Sequence, residues 1–182
     1  MTDDVVLKRA AAGDREAFAT LAAPRLGRMF ATALLILRDR GYAEDAVQEA
    51  LVRAWRDLRS VRDSRRFDPW LRRLLVNACR DESRRGRRHE SNIRLLPDHD
   101  RPTEDSSREL EDRDAIGRAL RRLSNEHRAV LVHQYYLDLA IAEVADALDI
   151  PVGTAKSRLH HARNALRKAV ELDTKRSEGH IT

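Results

Sequence analysis

Cysteine is almost absent from this 182-residue sequence, since Cys79 is the only one. A single cysteine cannot form an internal disulfide, and such usage is typical of a reducing compartment such as the cytosol. Aromatic residues are also scarce, at 4% of the chain, whereas 36% of the residues are charged. This composition favours small helical units over one large hydrophobic core.

Several signals for other protein classes are missing as well. No apolar run approaches the length of a membrane span, and the N-terminus lacks a secretory apolar segment. Without a glycine-rich phosphate loop the sequence predicts no nucleotide site, and we expect no cofactor. The histidines have no carboxylate or cysteine companions at ligand spacing, so we expect no metal site and no enzymatic activity. We therefore expect a cytoplasmic protein that does not contact a membrane.

Positive charge is present in excess and is unevenly distributed. The net charge is +5, with a pI near 9.9. Residues 61–94 carry 11 basic and 5 acidic side chains, and residues 152–182 carry 7 and 3. Residues 95–115, between them, carry 3 basic and 8 acidic side chains. Two basic blocks around one acidic segment favour a polyanionic partner such as nucleic acid.

The segment 123–170 has the pattern of three helices separated by two short breaks. Ser124 is a good N-cap for the first, and Asp149-Ile150-Pro151 ends the second because proline cannot continue a helix. The third begins near Val152 and places apolar residues on one face, at Ala155, Leu159, Ala162, Leu166 and Ala169. This pattern predicts either a helical hairpin with a solvated basic face or a helix-turn-helix, whose last helix enters the DNA major groove.

The polar face of that last helix carries the candidate DNA-binding residues. They are Thr154, Lys156, Ser157, Arg158, His160, His161 and Arg163. The positions from Lys156 to His161 lie in the first turns, where a recognition helix meets base edges. Thr154 and the free N–H groups beside it suit a phosphate. Arg163, further along, is expected at the DNA backbone or on a solvated face.

The N-terminal half contains two amphipathic helices around a basic loop. In DAVQEALVRAWRDL the apolar residues form one stripe, in which Trp55 is expected to be core. After the loop 59–67 comes FDPWLRRLLVNACRDESRR, for which Asp68 and Pro69 predict the cap and first position of a helix.

These two segments, together with PVGTAKSRLHHARNAL, resemble the bacterial RNA polymerase sigma factors of the extracytoplasmic-function (ECF) type. The resemblance covers roughly residues 5–90 and 112–172, in the order and spacing of that family. The sequence departs from the family pattern at Asp138, where glycine is usual, at Ala155, and at His161, where arginine is common. It also departs at Ala140, whose lack of a capping side chain should weaken the following helix by roughly 1 kcal/mol.

The resemblance implies an all-α fold: two small helical domains joined by a flexible acidic linker, with a C-terminal helix-turn-helix. We place the promoter-melting, polymerase-binding domain at residues 1–94 and the linker at 95–112. The helix-turn-helix domain would span 113–173, followed by a frayed tail, 174–182. The linker assignment also rests on composition, because this segment is rich in proline and acids and poor in apolar residues.

The resemblance further implies that the last helix reads the minus-thirty-five element of a promoter and that the first domain melts the minus-ten element. The residues expected to hold the unpaired minus-ten strand are Ser64, Arg65, Phe67, Trp70, Asn77, Arg80, Arg84 and Arg85. A basic groove with aromatic and amide groups suits unstacked bases. Taken without the resemblance, the arginines could equally be a solvated face, and Trp70 could be plain core.

A polar helix face is expected to bind the polymerase. It consists of Asp45, Gln48, Glu49 and Arg53, which could otherwise simply be solvated. The implied partners are core RNA polymerase and promoter DNA, both duplex and single-stranded, and the resemblance leaves an anti-sigma partner open. Two alternatives remain at this stage. One is a stand-alone helix-turn-helix regulator, and the other is a helical scaffold that binds acidic proteins.

Overall fold

The computed structural model describes residues 3–93 and 115–178, and this part of the chain is helical with no strand. This confirms the predicted all-α class. The helices are α1 (Asp3–Ala11), α2 (Arg15–Leu37), α3 (Arg40–Asp57), α4 (Phe67–Ile93), α5 (Ala115–Arg121), α6 (Asn125–Leu131), α7 (Ile141–Leu148) and α8 (Val152–Glu178). Two 3₁₀ turns, Leu58–Ser60 and Ser64–Arg66, connect α3 to α4, and a π turn, Val132–Tyr136, follows α6.

Short polar side chains start three of the helices. The Asp14 carboxylate accepts the Ala17 N–H at 3.0 Å before α2, and the Ser124 hydroxyl accepts the His127 N–H at 3.2 Å before α6. Asp39 accepts the Tyr42 N–H at 2.8 Å before α3. These bonds satisfy N–H groups that have no partner within the helix. The predicted cap at Ser124 is therefore confirmed.

Helix α4 begins earlier than its sequence suggests. The turn before it is capped by Asp63, whose carboxylate accepts the Arg65 N–H at 2.9 Å, and this turn leads directly into Phe67. Asp68 consequently lies in the first turn of α4 rather than at its N-cap, and it pairs with Arg25 on α2. The predicted Asp68 cap was wrong because an upstream aspartate had already started the helical turn.

Helix α2 continues through Pro24, and it is long and rich in apolar residues. By length and composition this one helix among the described residues could cross a membrane. Charged residues nevertheless divide its apolar positions, because the longest stretch of α2 without a charge is residues 29–37. A core helix passes the same test, and α2 packs against α1, α3 and α4 and carries Arg25 and Arg28 along its length.

The breaks of the helix-turn-helix use left-handed backbone. Asp138 adopts φ 51° before α7, which explains why glycine suits this position, and Asp149 ends α7 with φ 53°. The Ala140 N–H donates to the Glu143 carboxylate at 2.8 Å, so part of the missing cap is supplied from inside α7. Helix α8 continues through Glu178, into the segment predicted to fray.

The two halves of the chain pack against each other. Helix α4 contacts α7, and α2 contacts both α6 and the π turn. Buried residues of both halves belong to one hydrophobic cluster. The acidic segment predicted as a linker, 95–112, lies outside the described residues. We use the word seam for this contact between α2 and α4 on one side and the segment from α6 to α7 on the other.

Candidate nucleic-acid interface

The outer face of α8 presents most of the predicted minus-thirty-five residues to solvent. Its inner face is anchored by small side chains, since Ala155, Ala162 and Ala169 are buried against α5, α6 and α7. The exposed set consists of Lys156, Ser157, His160, His161 and Arg163. A basic helix held by its alanine face and exposed on the other is the geometry that a major groove requires.

Local hydrogen bonds order part of this surface. The Ser157 hydroxyl donates to the Thr154 carbonyl at 3.0 Å, and the His160 Nε2 lies 3.0 Å from the Asn164 side-chain nitrogen. The His160 and His161 rings meet edge to face, with centroids 5.6 Å apart. Gly153 is exposed with no atom near the position a Cβ would occupy, so the start of α8 is open to a close approach. Thr154 is half-buried there.

Arg158 behaves differently from its neighbours on α8. Its side chain is 22% exposed, and its Nη2 lies 3.3 Å from the Glu126 carboxylate on α6. It lines a crevice in the seam together with Arg80 and Arg84 of α4. The structure therefore separates Arg158 from the exposed set, and three predicted promoter-binding arginines from two different domains meet in the seam.

The loop before α4 holds two further predicted residues. The Ser64 N–H donates to the Asp4 carboxylate at 3.0 Å, and hydrogen bonds from Ser64 lower the pKa of Asp4. Arg65 pairs with Asp63 at 3.0 Å, and its hydrogen bonds lower the pKa of Asp63. The Arg65 side chain is nevertheless 89% exposed, so it remains accessible to a phosphate.

Phe67 is not placed where its predicted role needs it. Its ring is 1% exposed and lies under the Arg25 guanidinium, 5.0 Å from ring centroid to Cζ. A buried ring cannot stack on an unpaired base in this arrangement. The Trp70 ring lies 5.9 Å from the Phe67 ring, measured between centroids. Trp70 is half-buried, so part of it packs in the core and part of it remains at the surface.

Two of the remaining minus-ten candidates, Asn77 and Arg80, lie on a face of α4 that the C-terminal half contacts. Residues 73, 77, 80 and 84 are spaced by three and four, so they lie on one side of the helix. Arg73 pairs with Asp149 at 2.9 Å, and Arg80 donates to the Leu148 carbonyl at 2.6 Å. Asn77 is half-buried, whereas Arg84 is exposed.

Arg85 stands apart from that face. It is exposed and pairs with Glu82 of the same helix, whose own side chain is buried. This pairing leaves most of the Arg85 side chain accessible, because 65% of it remains exposed.

The predicted polymerase-binding residues of α3 divide into two pairs. Asp45 and Gln48 are exposed. Glu49 instead binds Arg53 at 2.7 Å, and Arg53 reaches Asp81 on α4 at 2.9 Å. The Glu49 hydrogen bond is the main cause that raises the pKa of Arg53. The second pair therefore ties α3 to α4.

An apolar residue on the same outer face escaped the sequence analysis. Val52 is 59% exposed, although the alanines of the apolar stripe on α3 are buried. The sequence could have indicated this exposure, since Val52 is an apolar residue that lies outside that stripe. Trp55 was expected in the core but is 36% exposed, with its ring edge-on to Phe18 at 5.2 Å.

The seam is held by a buried arginine that the sequence analysis did not single out. Arg128 of α6 donates to the Ile36 carbonyl of α2 at 2.6 Å and to the Leu123 carbonyl at 2.6 Å. Burial lowers the pKa of Arg128 to about 10. Because α6 is short and this position is formally polar, sequence periodicity alone would assign it to a solvated face.

Two observations on the described residues concern metal binding and thiol reactivity. There, no group of three or more His, Cys, Asp or Glu side chains is arranged to hold a metal ion. Burial raises the pKa of the Cys79 thiol to about 12, which disfavours the reactive thiolate.

Two family models match the two halves of this architecture. The model for sigma-70 region 2 matches residues 21–89, and the model for sigma-70 region 4 matches residues 113–166. The first match covers most of α2, α3 and α4, and the second covers the helix-turn-helix with the start of α8. Together they define a promoter-specificity subunit of bacterial RNA polymerase.

Curated relatives narrow this class to one family. SigL of Mycobacterium tuberculosis (strain H37Rv) is 38% identical over 143 residues, covering 76% of this chain and 80% of SigL. SigM of the same strain is 36% identical over 166 residues, covering 91% and 83%. SigW of Bacillus subtilis is 30% identical over 175 residues, covering 89% and 93%. All three are named ECF RNA polymerase sigma factors, and the chain belongs to this family.

Solved structures share the fold. CnrH, solved with the cytosolic domain of CnrY, matches with a TM-score of 0.68 at 24% identity, covering 94% of this chain and 98% of CnrH. The sigma factor RpoE of Bartonella quintana, solved with the anti-sigma factor NepR, matches with a TM-score of 0.66 at 24% identity, covering 86% and 98%. The predicted family is confirmed: the chain is a sigma factor that directs core RNA polymerase to promoters.

Proposed function

We propose that the outer face of α8 reads the minus-thirty-five element through Lys156, Ser157, His160 and His161. The observation that supports this most is that these donors are exposed together on a helix whose other face is buried. Thr154 and Arg163 would contact the flanking phosphates. Lys156 is a mobile point charge, whereas Ser157 and His161 lie four residues apart and point the same way.

The minus-ten strand would be held by α4 and the loop before it. Arg65, Arg84 and Arg85 supply accessible cations, and Ser64 and Trp70 lie at the start of the helix. Asn77 and Arg80 would receive an unpaired base only after the seam opens, because the C-terminal half covers their face. Phe67 would support Trp70 from the core rather than touch DNA.

Opening of the seam is thus part of the proposed cycle. Arg80 and Arg158 contact the opposite half or line the crevice in the seam, so they become available to DNA when the halves separate. Core polymerase would hold the two halves at separate promoter elements and replace the seam contacts. This accounts for a need for polymerase before the minus-ten strand is captured.

The outer face of α3 would bind the polymerase through Asp45, Gln48 and Val52. Val52 would contribute apolar area to this otherwise polar contact, as the centre of an interface usually does. Glu49 and Arg53 would position this face, since their network with Asp81 fixes α3 on α4.

The relatives support a proposal about the location and chemistry of the protein. It would act in the cytoplasm, where sigma factors meet core polymerase, and it would have no catalytic activity of its own. Strand separation would be driven by capture of unpaired bases. An anti-sigma partner is a further proposal by analogy with Bartonella quintana RpoE, which was solved with NepR.

The division into 1–94, 95–112, 113–173 and 174–182 is also a proposal. Limited proteolysis should cut first within 95–112 and give two helical fragments. Because the halves pack together, these fragments should co-elute from a sizing column until denaturant is added. First cleavage within α3 would contradict this division.

Run-off transcription with core polymerase tests the proposed function directly. The chain should produce discrete transcripts whose start sites share two upstream elements. A gel shift on the same promoter should need the polymerase. A stand-alone regulator would shift the duplex by itself, and a scaffold protein would shift nothing with or without polymerase.

A further inference from the structure

A cavity of about 150 Å³ lies in the seam, where α2 and α4 meet the π turn after α6. Both halves of the chain line it: Arg28 comes from α2, Arg72 from α4 and His133 from the π turn. No residue proposed above for DNA or polymerase contact is part of its wall. The cavity is therefore a feature that promoter recognition does not explain.

Two residues of this wall each carry a buried polar atom with no hydrogen-bond partner in the described part of the chain. They are His133, at its Nε2, and Arg72, at its Nε, and His133 is 0% exposed. A buried donor or acceptor left without a partner costs about 1–3 kcal/mol. Finding two of them in one cavity indicates that the site is built to contact a polar group.

The hydrogen-bonding roles of the two atoms are opposite. The His133 Nδ1 lies 2.7 Å from the Ala129 carbonyl, and a carbonyl oxygen only accepts, so Nδ1 carries the hydrogen. Burial lowers the pKa of His133, so the ring is neutral and its Nε2 is an acceptor. The Arg72 Nε–H can only donate. A ligand that satisfies both must therefore donate one hydrogen bond and accept another.

The charge around the cavity favours an anion. Asp68, its acidic residue, is paired with Arg25. Arg28 and Arg72 have no ion pair with any described residue and leave the site with excess positive charge. The floor is apolar, formed by Leu71 and Leu75 among others, which would leave room for a short carbon skeleton.

We propose that the cavity binds a small oxyanion that retains an O–H group at neutral pH, such as hydrogen phosphate or a hydroxycarboxylate. Its O–H would donate to the His133 Nε2, and its anionic oxygens would accept from Arg72 and Arg28. Because His133 belongs to one half and the arginines to the other, the bound anion would join the two halves across the seam.

Thermal unfolding of the full chain tests this site with inorganic phosphate as the probe and sulfate as the comparison. Both are oxyanions, but at neutral pH phosphate retains an O–H and sulfate does not. At matched ionic strength, Tm should rise with phosphate by roughly 3–5 °C for each tenfold excess over the dissociation constant. Sulfate should give a smaller rise without saturation. Glycolate in place of phosphate then separates a hydroxycarboxylate source from a phosphate source.

Three variants decide whether the effect comes from this cavity. Arg28→Gln and Arg72→Gln should each lose the phosphate-specific rise, and Arg15→Gln, which removes an exposed arginine elsewhere on α2, should keep it. Arg28 is itself exposed, so its variant should fold even if Arg72→Gln does not. Nitrogen NMR of labelled histidine should show the His133 Nε2 signal shift with phosphate. The proposal is overturned by equal rises with phosphate and sulfate, or by an unchanged rise in Arg28→Gln.

Discussion

The region 2 half (α1–α4) and the region 4 half (α5–α8) present their DNA-binding side chains differently. On α8 most of the proposed base readers are exposed and have no contact across the seam. On α4 the equivalent face is covered, and Arg73 and Arg80 are bonded to Asp149 and the Leu148 carbonyl at the end of α7. Under the proposed roles, the region 4 half could read duplex DNA as it stands, whereas the region 2 half would need a rearrangement before it could hold a single strand.

If the proposed roles hold, duplex recognition can come first because it uses an accessible helix, and strand capture must follow because its surface is covered. The seam contacts would then have to break between the two steps. They combine shared apolar burial with charge-assisted hydrogen bonds to backbone carbonyls.

The largest effect is expected from the arginine at the centre of the seam. Arg128→Met should lower the free energy of unfolding by about 3 kcal/mol, because buried carbonyls of Ile36 and Leu123 lose their donor. Chemical denaturation measures this. Arg163→Met, at an exposed position on α8, should change stability by less than about 0.5 kcal/mol. Similar losses in the two variants would show that the seam contributes little.

The next effect concerns strand capture on α4. Asn77→Ala should slow open-complex formation by about 10–100-fold, corresponding to the 1–3 kcal/mol expected for one lost contact to a flipped base. Permanganate footprinting on duplex and on pre-melted promoters measures it, and the pre-melted template should largely restore function. An equal defect on both templates would assign Asn77 to general binding instead.

On α8 we expect a change of preference rather than a uniform loss. His161→Ala should alter the favoured base at one minus-thirty-five position, at a cost of about 1–3 kcal/mol on the best site. Lys156→Ala should weaken all promoters similarly and reduce the salt slope by about one unit. Selection from a randomised minus-thirty-five library with each mutant holoenzyme compares them. If Lys156→Ala changed the favoured base and His161→Ala weakened all promoters similarly, the proposed groove-facing side of α8 would be wrong.

The smallest effect on stability is expected on the outer face of α3. Asp45→Lys should reduce co-purification with core polymerase while costing less than about 0.5 kcal/mol of stability, since Asp45 is exposed. Glu49→Lys should also destabilise the fold, because it places a like charge beside Arg53. Glu16→Lys, an exposed charge reversal on α2, is the control. If Asp45→Lys bound the polymerase as well as the unmodified chain does, the proposal that the outer face of α3 binds it would be wrong.

The sequence predicted what depends on local spacing and motifs. Short-range rules account for three of these features. They are the cap at Ser124, the end of α7 at Asp149 and the buried alanine face of α8. The family motifs also identified the two segments that the sigma-70 region 2 and region 4 models match. These features need only neighbouring residues, so one sequence is enough to find them.

The seam depends on distant residues and could not be predicted in the same way. By sequence, Arg128 and Arg80 have the pattern of solvated cations. Their partners are backbone carbonyls of the other half, which the sequence pattern cannot show. Phe67 belonged to a basic loop by sequence, yet the 3₁₀ turn started by Asp63 directs its ring into the core. Val52 was overlooked because a single exposed apolar residue carries little weight in a periodic pattern.

The distance between the two halves, with and without core polymerase, tests the central claim most directly. Spin labels can be attached at Glu16→Cys and Leu172→Cys, two exposed positions, because the native Cys79 is buried with a pKa of about 12. Pulsed EPR should give one narrow distance distribution for the free chain, centred on the separation in this structure. Binding to core polymerase should replace it with a longer distance. The same distribution in both states would contradict a covered α4 face that polymerase uncovers.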